Sequence, residues 1–181
     1  MTYREIRENQ EIRAYYEKGN ANLGVLGYTD HSGNAINRSH HAEYGALLSN
    51  ELLKATDMPL EDRVTVVSAI ANHDESTGTA VDPISAALII ADKTDVRRNR
   101  VRTKDKAQFD IHDRVNYAVT GAELEYLEDK KHIVLKLEID ESICSMYEYF
   151  EIFLGRMLMC RRAAEILGAK FKLIANGHKV L

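Results

Sequence analysis

Imidazole and carboxylate side chains gather at four places in the first half of the chain: Asp30-His31, Ser39-His40-His41, Asn72-His73-Asp74-Glu75 and Ala91-Asp92-Lys93. Together these two groups suit Zn, Fe, Mn or Ni. A bound divalent ion both generates hydroxide near neutral pH and neutralises charge developing on a phosphoryl group. Spacing alone does not define such a site, because His41, His73 and Asp92 match no compact motif of the HExxH kind. Histidines at helix ends and in loops also serve as caps and surface groups. Cys144 and Cys160 lie in apolar stretches without CxxC spacing and read as reduced core thiols.

The elements that must hold these groups follow from pattern. At 181 residues, 45% hydrophobic and 29% charged, the chain can bury a core. A net charge of −4 argues against a protein that coats duplex nucleic acid or an anionic membrane, so any anion site must be local. No apolar run approaches the ~20 residues of a membrane span. The opening Met1-Thr2-Tyr3-Arg4-Glu5 carries no signal-peptide core, so a cytoplasmic setting is expected. Helices are expected over about 4–17, 43–55, 60–73, 84–97 and 111–119, with Asp57-Met58-Pro59 and Asp82-Pro83 as helix starts. After Gly121 the period changes. Ile133, Leu135, Leu137 and Ile139 alternate with polar or flanking residues as a strand, and Leu124 and Tyr126 supply its hairpin partner across the 128–131 turn. A long helix follows over 145–167 with Tyr149, Phe150, Phe153, Met157 and Leu158 at core spacing, and Asn176-Gly177 turns a terminal hairpin. The expected fold is mainly α over 1–120, followed by a small C-terminal α+β element over 121–181, a β-β-α-β arrangement of antiparallel strands and one long helix. Open sheet edges and an exposed helix side lead to the expectation of a homodimer.

The run Ser85-Ala86-Ala87-Leu88-Ile89-Ile90-Ala91-Asp92-Lys93-Thr94-Asp95 resembles the closing segment of HD-domain metal-dependent phosphohydrolases, where an Ala-Asp-Lys turn provides the last metal ligand. His73, after Val67-Ser68-Ala69-Ile70-Ala71-Asn72, is similar to the histidine that ends the preceding helix in that family. Gly33-Asn34-Ala35-Ile36-Asn37-Arg38-Ser39-His40-His41-Ala42 resembles the stretch after the namesake His-Asp pair, with His41 at the next metal-binding histidine. The resemblance covers about residues 20–105, and the C-terminal element resembles an appendage of one uncharacterised branch. It implies an HD-domain-like helical body with His41, His73 and Asp92 as metal ligands and His31 as a weaker one. It further implies Asp92 and Lys93 in catalysis, and Lys93, Arg97, Asn34 and Arg38 in substrate binding. The cofactor would be one or two divalent ions among Fe, Mn, Ni, Zn and Mg. The reaction would be cleavage of a phosphate ester or nucleotide through a metal-bound hydroxide.

The chain departs from the family between Asp30-His31-Ser32 and Gly33-Asn34, where the helix with the first histidine and the His-Asp pair itself should stand, roughly 40 residues or a helix pair with its turns. Either this is a shortened relative that has lost two or three ligands, or a segment is missing between Ser32 and Gly33. The second is preferred, because removing two core helices strips the remaining ones of apolar partners. His73-Asp74 could itself be the pair, with His41 ahead of it, but Asp92 then follows too closely for two intervening helices. His112-Asp113 reads as structural, beside a capping Asp110. The basic run Arg97, Arg98, Arg100, Arg102, Lys104 and Lys106 is a solvated face or a phosphate grip, and without interleaved aromatics it is no platform for single strands. The expectation is a phosphohydrolase acting on a phosphorylated small molecule or nucleotide. The competing one is a non-catalytic ligand-binding or regulatory module that works through dimerisation or partner binding.

Overall fold

In a computed structural model of the chain, which describes residues 32–96, 98, 101 and 109–181, helix α1 spans His41–Lys54, α2 Leu60–Ala71 and α3 Pro83–Lys93. The helix expected over 4–17 lies outside the described residues. Ahead of α1, residues 32–36 make a helical turn and Arg38–His40 a 3-10 turn. Asp82 sets the start of α3: its Oδ1 accepts from the Ser85 amide at 2.7 Å, with Pro83 at the first helical position. Asp57 does not do this for α2, which begins directly after Pro59 with no side-chain cap. Ala46 of α1 and Ile70 of α2 form a buried cluster with Val66, Val67 and Leu88, and Leu53 packs on Leu52, Met58, Val66 and Val67.

Ser32 and Gly33 are consecutive residues of the 32–36 turn. Gly33 is buried. A Cβ there would run into the His41 carbonyl and stand 3.0 Å from the Gly45 amide, so this turn reaches α1 only because Gly33 has no side chain.

The second half builds a sheet. Helix α4, Ile111–Ala118, starts at Asp110, whose Oδ1 accepts from the Asp113 amide at 2.7 Å. It runs into β1 (Val119–Leu127), followed by β2 (His132–Ile139), α5 (Met146–Ile166), β3 (Lys170–Ala175) and β4 (His178–Lys179). β1 and β2 pair antiparallel with Leu124 opposite Leu135 and Tyr126 opposite Ile133, the register expected from their alternation. Lys131, at φ 50°, closes the turn between them. The sheet order is β1-β2-β3-β4, and it is mixed rather than antiparallel throughout. The α5 crossover brings the chain back in the same direction, so β3 lies parallel to β2 with Leu173 opposite Leu135. Asn176 and Gly177, at φ 48° and 77°, then turn the chain into β4. Ile133, Leu135 and Leu137 share a face with Phe171, Leu173 and Ala175, and α5 packs against β3. Cys144 and Cys160 are buried and not in a disulfide.

Two compact units divide between Asp92 and Lys93. Within the second, α4 continues without a break into β1 and packs on α5. Arg98 is fastened to α4 as well, its guanidinium 4.4 Å above the Tyr117 ring and its Nε–H donating to the Tyr117 carbonyl at 2.7 Å. No helix among the described residues is long and apolar enough to cross a membrane.

The start of α5 is a capping box. Ser145 Oγ accepts from the Glu148 amide while Glu148 Oε2 accepts from the Ser145 amide at 2.9 Å, and Arg114 Nη2 donates to Glu148 Oε1 at 2.6 Å. The Ser145 amide, then its hydroxyl, then Arg114 hold the Glu148 carboxyl below its ordinary 4.5. A depressed folded pKa contributes stability above the unfolded value and loses it as pH falls through the folded one. Urea unfolding of wild type and Glu148→Gln should therefore differ at pH 7 and converge on acidification below the ordinary carboxylate range. An equal gap at both ends would contradict the capping role. In the core, Tyr149 is fully buried and its hydroxyl has no hydrogen-bond partner among the described residues; burial pushes the phenol pKa well up. Tyr149→Phe should stabilise the protein by about 1 kcal/mol in urea melts, because it removes an unsatisfied buried group. A loss of stability would show that the hydroxyl is satisfied.

Candidate functional site

The start of α1 and the end of α2 bring two imidazoles together. His41 is the first residue of α1, and its Nδ1 lies 2.9 Å from the Arg38 carbonyl. His73 follows α2, is 2% exposed, and places Nδ1 2.6 Å from the Ile70 carbonyl. The rings meet edge to face, 5.2 Å between centroids at 81°. A carbonyl oxygen only accepts, so each Nδ1 carries a proton, and in the neutral tautomer that this contact requires, the lone pair is on Nε2.

Asp74 stands next to this pair, with Oδ2 3.5 Å from His41 Nε2. Its other oxygen is engaged: Oδ1 accepts from the Ser76 amide at 2.8 Å and from the Ser76 hydroxyl. A nitrogen lone pair facing a carboxylate oxygen is unfavourable until a cation comes between them. Either a proton or a divalent ion on Nε2 meets that need. Two imidazole nitrogens and one carboxylate are donors of the kind that borderline divalent ions take, so this corner fits part of a metal site.

It is a part only. Among the described residues no group of three His, Cys, Asp or Glu side chains is arranged to hold a metal ion. The structure joins His41 to His73 and puts Asp74 at His41, and Asp92 is half-buried near the end of α3. The loop after α2 turns Asp74 back onto α1. Lys93, 4% exposed, is the last residue of α3 and falls on the other side of the unit boundary. Asn34 and Arg38 are exposed, and Arg38 serves the pair through its backbone carbonyl. His31 and Arg97 lie outside the described residues. His40 points elsewhere, its Nδ1 3.7 Å from Glu43.

Asp74 was visible in the sequence as half of a His-Asp dipeptide, and the serine two residues on is the signal that its carboxylate would fold onto its own loop. Compared with protein-family models, with curated proteins and with solved structures, the chain matches none of them.

The loop that carries Asp74 closes through Gly78, whose amide donates to the Asp74 carbonyl at 2.8 Å. A Cβ at Gly78 would collide with the Asn72 backbone. Gly78→Ala should therefore cost about 2 kcal/mol by overpacking, and it should shift the NMR resonances of His41 and His73. Unchanged stability and spectra would show that the loop does not position the pair.

Proposed function

We propose that the chain is a metal-dependent phosphohydrolase of the HD type, acting in the cytoplasm on a phosphorylated small molecule, a phosphate ester or nucleotide. The His41–His73 pair supports this most: two imidazoles anchored through Nδ1, meeting at one corner, with a carboxylate beside them. His41 and His73 would hold one Fe, Mn, Ni, Zn or Mg ion through Nε2, and Asp92 is the further ligand that the resemblance adds. When bound, that ion supplies a Lewis acid that neutralises phosphoryl charge and makes its water more acidic. The Arg38 and Ile70 carbonyls keep the imidazoles in orientation. Asp74 brings a negative charge that favours a cation at His41, and the exposed Asn34 and Arg38 are the polar groups that the resemblance assigns to substrate binding. The two buried thiols fit a reducing compartment.

A second function is favoured by one observation: Ser32 is followed directly by Gly33 in the sequence, without the family's His-Asp pair between them. The helical body would then be a non-catalytic regulatory module that binds a cation or ligand without turnover.

The two separate on one set of assays. Purified protein is loaded with Mn, Fe, Ni, Zn or Mg and given p-nitrophenyl phosphate and a panel of nucleotides, with metal binding followed by calorimetry. Hydrolysis that falls at least ~100-fold in His73→Ala and Asp92→Ala is the result expected of the enzyme. Metal binding without hydrolysis would support the module, and no binding by wild type would contradict both.

A further inference from the structure

The outer side of α5 carries a symmetry that a single chain does not use. Opposite the buried stripe of Tyr149, Phe153, Met157 and Cys160, the residues Tyr147, Glu151, Gly155, Leu158, Arg162 and Ile166 recur at steps of four and three, which keeps them on one side of the helix. Leu158 is half-buried and the other five are exposed. Taken from the two ends inward, their chemistries pair: Tyr147 with Ile166, Glu151 with Arg162, Gly155 with Leu158. All three pairs are centred on the same point, midway between Arg156 and Met157.

Each pair has its own reason to look outside the chain. Glu151 has no Lys or Arg three or four residues away on its own helix. Gly155 sits in the middle of a 21-residue helix, where glycine costs about 1 kcal/mol relative to alanine. A Cβ at Gly155 would meet nothing within 4 Å, so no described neighbour requires the side chain to be missing. Opposite Leu158 of an antiparallel helix, that gap is the space the leucine fills. Tyr147 and Ile166 are large apolar groups left 76% and 47% exposed at the two ends.

We propose that two copies of the chain associate through this face of α5, antiparallel, about a two-fold axis midway between Arg156 and Met157. Such an interface is self-complementary: each copy gives the other a Glu151–Arg162 contact, a leucine seated on a glycine, and an apolar contact between Tyr147 and Ile166. A single helix pair buries less than the roughly 1,600 Å² of a standard interface, so association depends on protein concentration. The dimer is independent of any hydrolytic activity and is tested without it.

Sedimentation equilibrium on the full chain, from about 5 to 500 µM, reads the association directly. Wild type should move from 20.5 kDa toward twice that mass. E151R and R162E should each weaken association at least tenfold, because like charges then face each other twice. The double variant E151R/R162E, and an equimolar mixture of the two single variants, should recover it, since opposite charges again meet at both points. Gly155→Leu should weaken association while raising the melting temperature, a pair of effects that a folding defect cannot produce. Wild type that stays at 20.5 kDa throughout, single variants that associate as wild type does, or a mixture that fails to recover would each overturn the proposal. The second of these is also the outcome for a dimer built on another surface.

Discussion

Two backbone carbonyls, those of Arg38 and Ile70, decide what His41 and His73 can do. Ile70 lies in the last turn of α2, where carbonyl groups are not all claimed by the regular amide ladder, and Arg38 in the 3-10 turn ahead of α1; a following side chain reaches each. Each accepts from an Nδ1, and that bond fixes ring orientation and tautomer together. The chemistry of the corner therefore depends on where α1 begins and α2 ends. Packing of Ala46 against Ile70 and its neighbours in turn sets how close those two ends come.

The carboxylate adds the charge. A Ser76 clamp on Oδ1 of Asp74 leaves Oδ2 aimed at His41 Nε2, and the Gly78 amide fastens the Asp74 backbone. A partly buried carboxylate opposite an imidazole lone pair favours whatever cation comes between them, and a proton and a divalent ion compete for the same place. The second unit contributes none of these groups. Its sheet and long helix make a separate core.

Local features were legible in the sequence. Asp82 and Asp110 cap as their positions foretell, the alternation of Ile133, Leu135 and Leu137 gives the hairpin register, and Asn176-Gly177 turns the last strands. Each depends on residues within a few positions of one another. Asp57 does not cap because Pro59 holds the N-cap position of α2. The parallel pairing of β3 with β2 depends on where the chain lands after a 21-residue helix, which no local period encodes. That Asp74 stands at His41 was not legible for the same reason: it depends on how the loop after α2 folds back onto α1. The boundary at Asp92 likewise follows from Arg98 binding Tyr117, nineteen residues on.

Long-range ¹H–¹⁵N spectra of the imidazole nitrogens, recorded near pH 8 before and after addition of Zn²⁺, test most directly whether the pair is a cation site. Both rings should show a protonated Nδ1 and a bare Nε2, and both Nε2 resonances should shift together as one equivalent of metal is added. An Nε2–H tautomer at either histidine, or two rings that do not respond to the metal, would contradict it.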